Sequence, residues 1–319
     1  MIVGMASKDN TDKGIQESDL SGLRDLQAMA KLLKPLHRIG TERDKANNRD
    51  LHMDQYCLLV LMWLYNPIID SFRGLQQCSG LKNVQKRLGV GRASLGSLSE
   101  SVTIFDPTPL AGLAEELSDK LPDRTPENFA CVDKKITAVD GSVFRLLAQI
   151  AELAWLPKGD GKSSCGYRLH AQFEVFKGTP SRTTPPDHST RLVIVKVKPH
   201  DSRRSKNGVS GASSDGYLRI VTNNLDVPAE IIAALYELRW TIELYFRIIK
   251  QLLGCRHLLS TKANGVTIQI YMAIIACIMI LAMTGKLPTK RTYEMICFYL
   301  LGLAELDELE AHIQQLPPK

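Results

Sequence analysis

Four polar side chains with the chemistry to bind metal ions or phosphates recur at helical spacing between residues 236 and 250. Tyr236, Arg239, Glu243 and Lys250 follow one another after three, four and seven residues. On an α-helix, which turns by about 100° per residue, all four fall on one narrow stripe. The residues between them are mostly apolar, which predicts a buried helix, and buried charge is costly unless it is paired or bound to a ligand.

Two interpretations of this stripe remain open at the level of the residues. In the first, Arg239 and Glu243 form an internal ion pair four residues apart, and Lys250 pairs elsewhere. In the second, the Glu243 carboxylate holds a metal ion, and the flanking cations hold phosphate groups.

A second acidic candidate is Asp140, which ends the short apolar run ITAVD and is followed by Gly141 and Ser142. We predict that Asp140 lies at the end of a strand, where its carboxylate reaches a metal ion while the backbone keeps its hydrogen bonds. The alternative is an aspartate in an ordinary turn, because Asp-Gly is a common turn sequence.

One N-terminal segment, NVQKRLGVGRASLGSLSE, predicts a helix-turn-helix. Val84 and Leu88 supply the apolar face of the first helix, Gly89 begins the turn, and Leu95 and Leu98 supply the apolar face of the second helix. The preceding stretch TERDKANNRD is predicted to be a solvated linker.

The polar side chains of this segment are predicted to face outward. Arg92, Ser94 and Ser97 would then contact phosphates or base edges, and we assign Arg87 to the same DNA-binding surface. The alternative is a helical hairpin with glycines in its turn and no role in nucleic-acid binding.

These patterns resemble the insertion-sequence-four family of DDE transposases. Y-x2-R-x3-E-x6-K resembles the family signature, and D-G-S resembles the context of its first catalytic aspartate. Similar flanking sequences are RWTIELYFRIIKQLLGCRHLLS, GVTIQIYMAIIA and PTKRTYEMICFYLLG. The resemblance extends from about residue 54 to about residue 313.

The resemblance implies roles for the candidate residues. Asp140 and Glu243 would be catalytic and would ligate Mg²⁺ or Mn²⁺, two ions in an intact site. Tyr236, Arg239 and Lys250 would contact DNA phosphates. The reaction would cut double-stranded DNA at the terminal repeats of an insertion sequence and join the ends to target DNA, in a synaptic complex that holds a homodimer.

The fold expected is α/β with a large helical part. The resemblance implies an RNase H-like catalytic core, here incomplete, between an N-terminal helical DNA-binding region and C-terminal helices. The predicted divisions are a polar segment 1–50, a helical DNA-binding domain 51–128, an RNase H-like domain 129–260 and a C-terminal helical segment 261–319.

The second catalytic aspartate of such a site is missing from the sequence. The resemblance predicts it in a D-R-[AG]-[YF] context at the end of a later strand. None of the five aspartates between the two candidate acids has that context; they are Asp160, Asp187, Asp201, Asp215 and Asp226. Because the sequence stops following the family near residues 178–182, we infer an internal deletion there.

Composition favours a globular cytosolic protein. The 319 residues are 44% hydrophobic and carry a net charge of +6, which is compatible with nucleic-acid binding. Seven scattered cysteines without a CxxC pair argue against a disulfide scaffold or a zinc site. No signal peptide is expected, and the apolar stretch 266–283 is interpreted as a core helix rather than a membrane span.

The sequence therefore predicts a cytoplasmic, nucleoid-associated transposase-family protein. By resemblance it would catalyse metal-dependent DNA cleavage and strand transfer, and absence of the second aspartate would make it inactive. The first alternative is a DNA-binding remnant that occupies transposon ends or inhibits intact transposase. The second is a structural or membrane-associated helical protein built on residues 266–283. Trp240 and Trp155 are candidates for stacking on a displaced base, although core packing is the commoner role of a tryptophan.

Overall fold

The computed structural model describes most of the chain in two compact units. Described residues are 30–39, 42–46, 48–66, 68–122, 125–132, 136–145, 166–181, 189–196, 216–252, 258–260, 262–286 and 288–316. The helical unit comprises Met1–Leu121, Gly141–Leu169 and Tyr245–Lys319, and the mixed unit comprises Pro122–Asp140 and His170–Leu244. The predicted helix over 146–156 and the polar, basic loop over 200–216 lie almost wholly outside the described residues.

The helical unit brings together helices from the two ends of the sequence. A 3₁₀ helix spans Lys34–Arg38. The α-helices are α1 (Met53–Tyr65), α2 (Phe72–Ser79), α3 (Lys82–Leu88), α4 (Leu95–Ile104) and α5 (Thr108–Asp119). Helix α6 (Ala229–Glu237) belongs to the mixed unit, and α7 (Trp240–Leu252) passes from the mixed unit into the helical unit at Tyr245. Three more α-helices of the helical unit follow in the sequence. They are α8 (Ala263–Thr284), α9 (Lys290–Leu300) and α10 (Leu306–Gln315).

The core of this unit forms around α8, which is apolar on all sides. Helices α1, α4 and α5 pack against it. Its segment Ala263–Ala282 is the one described stretch long and apolar enough to cross a membrane, and 83% of its most apolar window is buried inside the unit. A helix without a polar face is stable in water only when neighbours cover it all round, which agrees with the predicted core helix.

Two polar side chains near the start of α8 hydrogen-bond to the backbone of neighbouring segments. Asn264 Nδ2 donates hydrogen bonds to the carbonyls of Val102 (2.7 Å) and Phe105 (2.6 Å), which the last turn of α4 leaves without helical partners. The fully buried amide of Gln269 accepts from the Leu259 N–H and donates to the Gly265 carbonyl, each at 2.9 Å. Asn264 therefore ties sequence-distant backbone to α8, and Gln269 ties the segment just before the helix to it.

The last two helices pack against each other and reach back to the start of the unit. The Tyr293 hydroxyl donates to the Leu64 carbonyl at the end of α1 (3.0 Å). The Lys286 ammonium donates to the carbonyls of Ile313, Gln314 and Leu316 at the end of α10. Helices from the predicted segments 51–128 and 261–319 thus share one folded unit.

The described residues contain five strands in two sheets, and the boundary between the two units falls within the first two of these strands. Strands β1 (Thr137–Arg145), β2 (Gly166–Glu174) and β3 (Thr179–Ser181) form one sheet in that order, and β2 pairs antiparallel with β3. Strands β4 (Arg191–Lys196) and β5 (Tyr217–Thr222) form an antiparallel pair in which Arg191 faces Thr222. The predicted strands are confirmed, but the described strands do not join into a single RNase H-like sheet.

The mixed unit has its own hydrophobic core. Helix α6 packs against β4 and β5. Val193, Ile220 and Leu235 are buried there, together with Phe129 and Phe176, whose ring centroids are 5.6 Å apart. Tyr236 and Leu238, at the end of α6, are packed against this core while remaining partly exposed. The core therefore fixes the end of α6, where the candidate residue Tyr236 lies.

The close approach of α8 to the preceding segment makes a stability prediction. A Cβ at Gly265 would lie 2.6 Å from Ser260 Oγ and 2.7 Å from its Cβ, so Gly265→Ala should lower the free energy of unfolding by about 1–3 kcal/mol. Gly112, inside α5, has nothing within 4 Å of the same position, so Gly112→Ala should raise it by up to about 1 kcal/mol. Urea denaturation of both variants checks this, and equal stability of the two would contradict the described packing.

Candidate functional site

The predicted signature helix is two helices rather than one. Helix α6 ends at Glu237, and α7 begins at Trp240. Through the break, the N–H groups of Leu238, Arg239, Thr241 and Ile242 each bond to the carbonyl three residues earlier, and the Thr241 hydroxyl also donates to the Leu238 carbonyl (2.6 Å). This tighter bonding interrupts the helix, so a single helix from 236 to 250 was a wrong prediction.

Three of the four signature side chains nevertheless meet at this break. Arg239 Nη2 lies 2.8 Å from Glu243 Oε1, and the Arg239 guanidinium lies 5.7 Å from the centre of the Tyr236 ring. We call Tyr236, Arg239 and Glu243 the 236–243 cluster. Partial burial lowers the pKa of the Arg239 guanidinium, but the hydrogen bond and charge of Glu243 outweigh burial and the pKa is raised overall. The ion pair predicted by the first interpretation is present.

The 236–243 cluster lies at the surface, which corrects the prediction of a buried helix. The side chains of Arg239 and Glu243 are 36% and 31% exposed. Trp240 is 48% exposed and so does not pack in the core, while Trp155 lies outside the described residues. Helix α7 is amphipathic, because Ile242 and Ile249 on its other side are buried.

Lys250 lies in the last turn of the same helix, seven residues after Glu243. Seven residues are close to two helical turns, so Lys250 and Glu243 project from a similar side of α7. Its side chain is partly exposed and has an interaction of its own.

Asp140 is not at the end of a strand. It is the fourth of the nine residues of β1, which continues through Gly141 to Arg145. The apolar residues Val143 and Phe144 extend the strand pattern beyond the Asp-Gly pair, and this outweighs the turn preference of that pair. The Asp140 side chain is outside the description, so its approach to Glu243 stays a prediction.

Four of the five aspartates between the two candidate acids lie outside the described residues. Asp226 is described, and it is exposed in the turn before α6. Helix α6 separates it from the 236–243 cluster, and nine residues of α-helix rise by about 13 Å. Asp226 therefore cannot share a metal ion with Glu243.

The described side chains do not by themselves form a two-ion site. Among the described residues, no three His, Cys, Asp or Glu side chains group where they could hold a metal ion. Of the predicted ligands, Glu243 alone has a described side chain, and one of its oxygens accepts from Arg239. We therefore derive no chemical step through a metal ion.

The second candidate site is the segment α2–α4 of the helical unit. Helices α2 and α3 are neighbours, and α4 packs against α2. The turn between α3 and α4 begins at Gly89 in the left-handed conformation (φ 67°) and buries Val90 and Ala93. The Ala93 N–H donates to the buried Ser79 Oγ (3.0 Å), and Gln55 Nε2 donates to the Gly89 carbonyl (2.9 Å). The predicted helix–turn–helix order is present, with a well-defined turn.

The charge of α2–α4 is strongly positive. The segment contains five cations and one acid, Glu100, and α3 contains no acid. Arg92 is exposed in the turn and Arg87 is partly exposed at the end of α3. The remaining cations are Arg73, Lys82 and Lys86, all exposed. This is the kind of surface that attracts phosphates.

Two expectations for this segment need correction. Leu95 is exposed and does not join Leu98 in the apolar face of α4. Ser94 is the N-cap of α4, because its hydroxyl accepts from the Ser97 N–H (3.0 Å). Starting the helix at Ser94 turns Leu95 toward solvent.

Sequence reasoning missed Arg49, which lies in the predicted solvated linker. Its side chain is only 10% exposed, and Nη2 donates to the Ser97 carbonyl (2.8 Å) and to Ser101 Oγ (3.2 Å). Its guanidinium also lies 5.5 Å from the centre of the Phe105 ring and 3.6 Å from Glu100 Oε2. The contacts join residues about 50 positions apart, so no local pattern reveals them.

Comparison with known proteins gives one family match. Residues 180–279 match the family model of the transposase DDE domain. The match contains the 236–243 cluster and Lys250, and it begins after Asp140. The chain is similar to DDE transposases.

Two curated relatives agree with that similarity. The probable transposase for insertion sequence element IS5377 of Geobacillus stearothermophilus is 40% identical over 63 residues, 20% of this chain. The putative transposase y4zB of Sinorhizobium fredii (strain NBRC 101917 / NGR234) is 48% identical over 59 residues, 18% of this chain. The matched segments span 17% of the length of each relative. No solved structure matches the chain.

The exposure of the Arg239–Glu243 pair predicts that it contributes little to stability. In a double-mutant cycle with Arg239→Gln and Glu243→Gln, the coupling free energy should be below about 0.5 kcal/mol, because water screens both charges. Lys120 and Glu116 in α5, 2.6 Å apart and 64% and 62% exposed, provide the control pair. A coupling above about 2 kcal/mol in urea denaturation would show that the pair is a structural ion pair of the interior.

Proposed function

We propose that this protein binds the DNA ends of an insertion sequence and derives from a DDE transposase of the insertion-sequence-four type. The α2–α4 segment binds double-stranded DNA, and the 236–243 cluster with Lys250 contacts phosphates. The observation that carries the proposal is the transposase DDE match over residues 180–279. This range contains Tyr236, Arg239, Glu243 and Lys250, whose spacing resembles the insertion-sequence-four signature.

The geometry of the 236–243 cluster supports a phosphate-binding role. Arg239 is held between the Tyr236 ring and the Glu243 carboxylate at a partly exposed surface. Its guanidinium is therefore oriented and accessible to an anion. Trp240 is exposed next to it, where a large aromatic surface can stack on a base displaced from the duplex.

The ancestral reaction of such a site is metal-dependent DNA cleavage and strand transfer, with Asp140 and Glu243 as metal ligands for Mg²⁺ or Mn²⁺. We propose that an internal deletion near 178–182 removed the second aspartate and left an incomplete RNase H-like core. The family match begins at residue 180, next to that point. The protein then occupies transposon ends, as a homodimer in a cytoplasmic, nucleoid-associated synaptic complex, or inhibits intact transposase.

Substitution of the cations of α2–α4 should weaken DNA binding. Arg92→Ala and Arg87→Ala should each lower the affinity for double-stranded DNA from the ends of the element and reduce the slope of log K against log salt by about 1. Fluorescence anisotropy at several salt concentrations measures both quantities. Arg291→Ala, in α9, is the control because that arginine is exposed outside the α2–α4 segment. Unchanged slopes for Arg92→Ala and Arg87→Ala would contradict this DNA-binding surface.

The shortage of acids predicts a protein without nuclease activity. Purified protein that binds the element ends should give no strand cleavage or transfer with Mg²⁺ or Mn²⁺, because two carboxylates under-compensate the charge of two divalent ions. Gel analysis of labelled DNA ends detects nicks and joined products. Mg²⁺-dependent cleavage that Glu243→Gln abolishes would reject the deletion hypothesis and establish an active transposase.

A further inference from the structure

Helix α4 presents one outward stripe to solvent. On a helix of 3.6 residues per turn, positions 96, 99, 100 and 103 lie within about 100° of one another. All four are exposed, whereas the opposite side of the helix is buried. The outward residues are Gly96, Ser99, Glu100 and Thr103, and the buried ones are Leu98, Ser101 and Val102.

The surroundings of this stripe fit double-stranded DNA. The preceding helix α3 carries Lys82, Lys86 and Arg87 without an acid, and Arg92 lies just before α4. An α-helix with small side chains facing outward fits the major groove, and neighbouring cations contact the phosphates.

Glu100 is the exception in this surface. It is the one acid of α2–α4, its side chain is 68% exposed, and it lies at one edge of the outward stripe. An acid at this place repels DNA phosphates, so a general phosphate-binding surface would be stronger without it.

The nearly buried Arg49 offsets the negative charge of Glu100. Its Nη1 lies 3.6 Å from Glu100 Oε2, and its Nη2 is fixed by the Ser97 carbonyl and the Ser101 hydroxyl. The arginine is nearly buried while the glutamate remains accessible. Arg49 is thus held by α4 itself, and Glu100 retains oxygen lone pairs for another partner.

A purely structural role accounts for Arg49 but not for Glu100. The hydrogen bonds to Ser97 and Ser101 attach the residue 48–52 segment to α4 without any help from Glu100. An exposed carboxylate in an ion pair of this length contributes between zero and about 1 kcal/mol to stability. The position therefore has no strong structural need for an acid.

We propose that Glu100 reads a base edge in the major groove and that Arg49 is its positioning residue. A carboxylate accepts a hydrogen bond from the N4 amino group of cytosine, whereas a glutamine side chain pairs with the N6 and N7 atoms of adenine. The inference rests on the proposed function, in which α2–α4 binds double-stranded DNA. It adds a base preference and the residue responsible for it.

Selection from a randomised double-stranded DNA library tests this inference. The full-length wild-type protein should enrich a motif with cytosine at one position by about tenfold or more, and Glu100→Gln should move that preference to adenine. Glu100→Ala should lose the preference at that position and leave the others unchanged. Glu116→Gln is the matched control, because Glu116 is also exposed and paired with a cation but lies in α5.

A second set of variants separates positioning from folding. Arg49→Met should remove the base preference at the same position of the motif and at no other. Arg49→Lys should restore that preference, because lysine supplies the positive charge. Thermal unfolding of each variant is measured in parallel. If Arg49 only stabilised the fold, its substitution would lower stability and would weaken DNA binding equally at all positions of the motif.

Each outcome has a definite meaning. Identical motifs for wild type and Glu100→Gln, or uniform loss at all positions, overturn the inference and leave the proposed DNA binding intact. Salt-dependent binding without any enriched motif also overturns it. Absence of salt-dependent DNA binding in anisotropy rejects the proposed function together with the inference.

Discussion

The apolar surface of α8 is the constraint on which the helical unit depends. A helix of 22 residues with no polar face must be covered on every side, and no single neighbour is wide enough to do this. Helices α1, α4 and α5 supply the cover, although about 140 residues separate the end of α5 from the start of α8. The fold of the N-terminal helices is therefore inseparable from the C-terminal part of the chain.

Because of this packing, neighbouring residues hold α4, the candidate DNA-binding helix, in place. Helix α4 is held near its start by Arg49 and at its end by Asn264, and its inner face packs against α8. The two side chains satisfy carbonyl groups or hydroxyls of α4 from outside the helix. Residues on its outer stripe can thus be placed against a groove without reorganising the helix, which lowers the entropic cost of binding.

The sequence predicted those features that depend on local periodicity. The apolar run of α8, the strand-forming sequences of β2, β4 and β5, and the glycine turn before α4 are all local patterns, and the structure confirms the helix, the three strands and the turn. The features that it did not predict are set by longer-range contacts or by hydrogen-bond geometry. Arg49 appeared to be a linker residue because its partners lie about 50 positions away, and the helix break at Leu238 depends on 3₁₀ bonding that an apolar pattern does not reveal.

The same break explains why the contacts among the signature residues were predicted correctly, whereas their burial was predicted wrongly. Spacing of three and four residues brings Tyr236, Arg239 and Glu243 together in either a continuous helix or two helices joined by a tight turn. In the second arrangement, which the structure has, Trp240 and the charged groups are exposed to solvent. The candidate acid site, by contrast, could not be judged from spacing, because a strand residue and a helix residue about 100 positions apart carry no mutual periodicity.

The placement of Arg239 also determines what Glu243 can do. The Arg239 guanidinium contacts the Tyr236 ring and pairs with the Glu243 carboxylate, and it is partly exposed to any anion that approaches from solvent. A phosphate and the carboxylate compete for the same donors, so a phosphate bound to Arg239 leaves Glu243 with unpaired oxygens and an uncompensated charge. A nearby cation then becomes more favourable than it was before the phosphate bound. The ion pair is therefore compatible with the proposed ligand role of Glu243, because a bound phosphate would compete for the same guanidinium.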